Sequence, residues 1–191
     1  MKKVMSLLMF SLFAVSVFAQ KVLVNDPAHS RIQFSVIHLT ISDISGNFET
    51  ANLTINADEK NFLNSKLTFE VDVNSINTHI EARDNHLRSA DFLDVAKYPK
   101  MMFTSTAISK AKQKNYYNVK GNLSMHGITK PVSVVLVYRG STVNQMNKKK
   151  TYGYQVLATV KRSDFNVGPG FPEAVISDQV RIKGDFELTE K

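Results

Sequence analysis

The chain has no cysteine and no tryptophan, and after its first twenty residues it has no long hydrophobic run. Without cysteine there are no disulfide staples, thiolate metal centres, cysteine nucleophiles or lipid-modified N-terminal cysteine. Carboxylates are missing from a long central stretch: residues 95–163 carry 13 Lys and Arg and not one Asp or Glu. Glycine-rich phosphate loops, a GxSxG turn, HxH and HExxH are also absent. The usual sequence marks of nucleotide hydrolysis, serine-hydrolase chemistry and zinc binding are therefore missing. A hydrophobic content of 43% excludes a wholly disordered chain and a polytopic membrane protein alike.

The N-terminus has three parts. Lys2 and Lys3 lead into an apolar run over residues 4–17, which ends at Val17-Phe18-Ala19 ahead of Gln20. The run is shorter than the roughly 20 residues a membrane span needs. Small residues stand three and one positions before Gln20, so the pattern predicts a cleavable export signal over residues 1–19. Residues 20–191 then form a single mature domain, expected in the periplasm or secreted. That domain holds 22 Lys and Arg against 17 Asp and Glu, a net +5 that divides into +13 over residues 95–163 and −8 elsewhere. Export argues against nucleic acid as the partner of its basic stretch.

The dominant period of the mature chain is two. Residues 180–189 and 66–73 alternate apolar with polar, as does Ile32, Phe34 and Val36 against Arg31, Gln33 and Ser35. Such alternation suits strands with one buried and one wet face. Eight strands are expected, over residues 30–38, 47–56, 66–75, 100–109, 116–125, 131–139, 152–162 and 180–189, with Pro131 opening its run. Residues 78–94 are too polar and irregular for a strand; Ile80, Ala82, Leu87 and Ala90 allow one or two helical turns as a cap. Consecutive strands without alternating helices point to an antiparallel all-β fold, as a sandwich or an eight-stranded barrel with a short helical or loop cap. Periodicity leaves open whether a barrel's interior is filled or holds one small ligand.

Candidates for chemistry are few. His29 and His38 are nine residues apart and would lie on opposite faces of an unbroken strand. His79 and His86, if both helical, share a face about 10 Å apart along the axis. Neither pair holds one ion as it stands, and with His126 the reading is of five separate polar or capping histidines; no metal or cofactor is expected. Arg83, Asp84, His86, Arg88 and Asp91 crowd into one segment that could build an anion site or an acid/base pair. A hydrogen-bonded loop that holds a cap in place is the favoured reading of that segment. Lys110, Lys112 and Lys114, then Lys148, Lys149 and Lys150, cluster at expected hairpin tips, where they could meet an anionic membrane surface.

Several segments together resemble the YceI-like family. They are Asp26-Pro27-Ala28-His29-Ser30-Arg31-Ile32-Gln33-Phe34 with His38-Leu39, then Gly46-Asn47-Phe48, Arg83-Asp84, His86-Leu87 and Ser89-Ala90-Asp91-Phe92-Leu93-Asp94. Tyr98-Pro99, Gly121-Asn122-Leu123, His126-Gly127-Ile128-Thr129-Lys130-Pro131-Val132 and Arg162-Ser163-Asp164-Phe165 follow in family order. Leu93 stands where the family commonly has Phe, and Asn166 where it commonly has Gly. Asn tolerates a left-handed backbone better than most residues, so the turn at Asn166 is expected to survive.

The resemblance implies a lipocalin-like antiparallel barrel, exported to the periplasm, that holds a polyisoprenoid or similar long-chain lipid without transforming it. On that reading Ile32, Phe34, Val36, Phe48, Phe69, Val71, Met101 and Phe103 line the interior, with Phe34 and Phe69 foremost. His38 and His86 are then polar groups near an entrance. The alternatives are a hydrolase or isomerase acting on a lipid through residues 83–91 and nearby histidines, and a membrane-docking module. The sequence leaves oligomeric state open, a homodimer included.

Export is tested first. Secreted or periplasmic protein is expected to begin at Gln20 on N-terminal sequencing; a mature chain that retains Met1 would contradict the signal.

Overall fold

A computed structural model describes residues 20–191, so the export signal expected over residues 1–19 lies outside the described residues. The described chain forms strands β1 (Gln20–Asn25), β2 (Arg31–His38), β3 (Ser42–Phe48), β4 (Ala51–Asp58), β5 (Lys66–Asp72) and β6 (Ile76–Asn77). One α-helix, α1 (Glu81–Arg88), follows. Then come β7 (Lys100–Lys110), β8 (Tyr116–Met125), β9 (Ile128–Val143), β10 (Lys150–Lys161) and β11 (Gln179–Glu190).

Every ladder is antiparallel. β1, β4, β5, β7, β8, β9, β10 and β11 pair in that order, and β11 returns to β1, closing an eight-stranded barrel. β10 covers one edge of β11 throughout. The other edge is shared: residues 181–185 pair with β2, residues 188–190 with β1. β2 carries β3 and the two-residue β6 as a side sheet. The wall of the barrel thus forks at β11.

The ring has eight strands, as expected, but its membership differs by one. β1 closes it, and β2 belongs to the side sheet. The expected strand over residues 47–56 spans a corner. Phe48 ends β3 opposite Ile76, Glu49 and Thr50 bond to Ser75, and β4 restarts with the opposite phase, Leu53 and Ile55 inward. Pro131 sits inside β9 opposite Asn122 rather than at its start. It is tolerated there because β9 pairs with β10 only from Val135 onward. β3 escapes the period-two signal because its sequence, SDISGNF, is mostly small and polar.

Glycine lets the wall accept large rings. A Cβ on Gly121 would stand 2.4 Å from Phe103 Cζ and 2.5 Å from the Thr104 carbonyl oxygen. The missing side chain is the space that Phe103 fills. Irregularities between Ser105 and Ala107 in β7, and between Gly153 and Tyr154 in β10, add local bends of the kind a closed sheet requires.

The interior has two parts. At the end carrying the β7–β8 and β9–β10 hairpin tips it is solid: Leu53, Ile55, Leu67, Val119, Leu136 and Leu188 are nearly or wholly inaccessible. Phe62, on the short turn between β4 and β5, plugs this end against Tyr117 and Tyr154 at centroid distances of 4.9 and 6.2 Å. A second apolar cluster lies toward α1, with Ile32, Val71, Phe92, Met101 and Phe165 at its centre. Among the described residues no helix is long and apolar enough to cross a membrane.

Stability should reside in the solid end. Leu136→Ala removes a side chain with 0% exposure and is expected to cost about 2–5 kcal/mol in urea unfolding. A loss under about 1 kcal/mol would contradict the packed floor.

Candidate functional site

The segment between β6 and β7 forms the cap, and arginines fasten it. Arg88 donates from Nε to the Asn74 carbonyl at 2.9 Å and from Nη2 to the Ile76 carbonyl at 2.6 Å, tying α1 to β6. Arg83 donates to the Thr78 hydroxyl at 2.7 Å and the Thr78 carbonyl at 2.8 Å. The Thr78 amide and hydroxyl in turn donate to the buried Asp84 carboxylate at 2.9 and 2.5 Å. Charge density in this segment therefore serves mainly to seat the cap. His79 lies outside the helix with φ 63, so it and His86 do not share a helical face.

A third arginine holds the opposite side of the opening. Arg162 is 7% exposed, and its guanidinium donates to the backbone carbonyls of Val167, Gly168, Phe171, Ile176 and Ser177 at 2.5–3.3 Å. The loop over residues 163–178 folds around that one cation. Asn166 adopts φ 54 and ψ 35, the left-handed turn that its position demands. His126 bonds the Phe165 carbonyl at 3.1 Å and packs edge-on against Tyr98 at 4.8 Å. Tyr98, His126 and Arg162, far apart in sequence, thus meet around one end of the barrel.

Between cap, loop and side sheet lies a cavity of about 360 Å³, partly open to solvent. That falls within the roughly 300–1,000 Å³ typical of small-molecule pockets. Phe34, Val36 and His38 of β2, Phe48 of β3, His86 of α1 and Met101 of β7 contribute to its lining. A smaller void of about 90 Å³ lies deeper, against Ile32, Phe69, Val71 and Phe103. Phe34, Met101, Met125, Val160 and Ile182 border both. Each of the ten residues singled out from the sequence borders one void or the other. The sequence reading did not select Leu87, Phe92, Val167 and Phe171, which complete the larger wall from the cap and loop. No strand periodicity marks these positions, because they lie on a short helix and irregular backbone.

Polar groups at the cavity are sparse. His38 and His86 stand at its walls, as do Thr78, Arg83 and Arg162, whose polar atoms face the partners already described. His86 Nε2 lies 3.1 Å from Asp91, and its ring packs edge-on against Phe92 and Phe171 at 5.0 and 5.8 Å. Phe92 and Phe171 stack on each other at 4.6 Å, closing cap against loop. Among the described residues no three His, Asp or Glu side chains gather where they could hold a metal ion. The site is an apolar chamber with a thin polar rim, suited to solvating a hydrocarbon chain.

Comparison with known proteins gives a consistent picture. The sequence model of the YceI-like domain matches residues 24–188. Protein YceI of Salmonella newport (strain SL254) is 35% identical over 139 residues, covering 73% of this chain and 71% of that protein. The crystal structure of the Campylobacter jejuni YCEI protein matches with a TM-score of 0.71 at 29% identity, over 81% of this chain and 90% of that one. A polyisoprenoid binding domain from Saccharophagus degradans, implicated in plant cell wall breakdown, matches with a TM-score of 0.67 over 91% of this chain and 100% of that domain. At 16% identity that last likeness shows the fold alone.

Arg162 offers a test of how the opening is built. Arg162→Met strands several buried carbonyls and should cost at least about 3 kcal/mol in urea unfolding. Arg162→Lys should recover only part of the loss, since one ammonium cannot reach five oxygens. Near-wild-type stability of both variants would remove Arg162 as the organiser of the loop.

Proposed function

The chain belongs to the YceI-like domain family, and from that premise we propose that it is an exported, non-enzymatic protein that holds a polyisoprenoid or similar long-chain lipid. The observation that carries the reading is the apolar cavity of about 360 Å³ at the cap end, above a floor packed solid. The Saccharophagus degradans domain of the same fold, which binds polyisoprenoid, supports the ligand class. The N-terminal pattern over residues 1–19 supports export to the periplasm.

The chemistry follows from the lining. Each methylene transferred from water into the cavity contributes about 0.8 kcal/mol, so a few isoprene units exceed the cost of ordering the chain. Phe34, Val36, Phe48 and Met101 receive the chain, with Phe69 and Phe103 about the deeper void. The ligand's polar end stays toward His38 and His86, where desolvation is least. Carriage, storage and sequestration all use this geometry, and none needs a reactive group. The His86–Asp91 pair gives a hydrolase or isomerase reading its best foothold. With Nε2 held by Asp91 and ring packing on Phe92 and Phe171, His86 instead serves as part of the rim.

Binding of a long-chain polyprenyl probe, followed by tryptophan-free fluorescence displacement, tests the reading. Phe34→Asp places a carboxylate between the two voids and should weaken binding at least 100-fold, about 2.7 kcal/mol. Ile41→Asp, on the exposed hairpin outside the cavity lining, should leave affinity within a factor of about three, under 1 kcal/mol. Equal affinity of folded Phe34→Asp and wild-type protein would exclude the cavity as the binding site.

A further inference from the structure

The end of the barrel opposite the cavity has its own chemistry. Lys110, Lys112 and Lys114 surround the β7–β8 tip, and Lys148, Lys149 and Lys150 the β9–β10 tip; all six are exposed. None of them pairs with a carboxylate among the described residues, because neither hairpin contains one. Lys148 reaches Gln145 at 3.5 Å, and Lys150 lies over the Tyr152 ring at 5.3 Å. The nearby carboxylates stand on other elements: Glu190 holds Lys21 at 2.5 Å, Asp58 accepts from the Lys60 and Asn61 amides, and Glu59 is exposed beside them.

The β9–β10 hairpin also projects. Tyr116, the first residue of β8, pairs with Val137, whereas β9 runs on to Val143 before the turn. That is roughly 20 Å of strand beyond the end of β8. At its crest Met146 is 94% exposed, with Val143 half exposed beneath it. An unbranched apolar side chain held in water, followed by three consecutive lysines, combines an insertion point with a ring of charge. Two tyrosines of this end are already engaged: Tyr117 packs on Phe62, and Lys21 and Lys150 cover Tyr152.

We propose that this basic end docks on a membrane surface rich in anionic lipids, with Met146 entering the headgroup layer and both lysine triplets facing lipid phosphates. Docked in this way, the barrel holds its cavity mouth away from the bilayer. The tips act as an anchor, and ligand passes through the other end. This surface is independent of the cavity and stands whether or not a polyisoprenoid is the ligand.

Co-sedimentation with two vesicle types tests it: phosphatidylcholine alone, and phosphatidylcholine with phosphatidylglycerol. Mature protein should bind the anionic vesicles and not the neutral ones. Binding should fall steeply between about 0.1 M and 1 M salt, as the screening length shrinks from about 10 Å to 3 Å. The triple variant Lys148→Glu, Lys149→Glu, Lys150→Glu should lose at least tenfold in affinity, and Met146→Ser severalfold with the salt dependence unchanged. If the triple variant fails to fold, Lys112→Glu with Lys114→Glu on the other hairpin should still lose severalfold. Equal binding to both vesicle types, charge reversals without effect, or preference for nucleic acid over vesicles would each overturn the proposal. So would loss of binding on Ile41→Ser in place of Met146→Ser, which would put the docking surface at the mouth.

Discussion

β11 is held along one whole edge by β10 and divides its other edge between β1 and β2, and the shape of the interior depends on that division. Where β1 takes the edge, the ring closes tightly through β4, and side chains from all eight strands meet at its centre. Where β2 takes it, the wall leaves the ring and runs out through β3 to β6. The space opened between this side sheet and the main wall is covered by the cap and the loop over residues 163–178, and the cavity lies beneath them. A closed ring supplies the stability; a diverted wall supplies the volume.

Most polar side chains around the cavity are spent on that cover. Arg88 and Arg83 seat the cap on β6 and Thr78, while Arg162 gathers five carbonyls of the loop. A buried cation satisfied by carbonyl dipoles fixes a loop whose own regular structure is one 3-10 turn, Ser163–Phe165. Its aliphatic neighbours Val160 and Val167 remain available to the cavity. Charged residues in the sequence and apolar chemistry at the site are therefore compatible: the charges support the walls from behind.

Strands with two clearly different faces could be read directly from the sequence. β11 and β5 show their burial in their alternation, and Phe34, Phe69, Met101 and Phe103 follow from it. β3 could not be read this way, because Ser42, Ser45, Gly46 and Asn47 give no apolar rhythm and the strand is held by pairing to β2. The corner at Glu49 and Thr50 was hidden because apolar residues continue across it while the inward phase changes. The ten lining candidates were legible as inward-facing positions. Their division between an open chamber and a deeper void depends on how the wall forks, a long-range pairing that local pattern does not encode. Leu87, Phe92, Val167 and Phe171 lie on short or irregular segments, where period says nothing about direction.

The two ends of the barrel carry separate properties: packing and positive charge at one, volume and an apolar lining at the other. On the proposed function, this volume is occupied by a long hydrocarbon chain in the native protein. Organic extraction and mass spectrometry of protein purified from its native compartment without detergent tests it most directly. A stoichiometric long-chain lipid of polyisoprenoid or comparable apolar character is the expected result. Protein that is repeatedly empty, with cap and loop side chains collapsed into the chamber in an experimental structure, would contradict it.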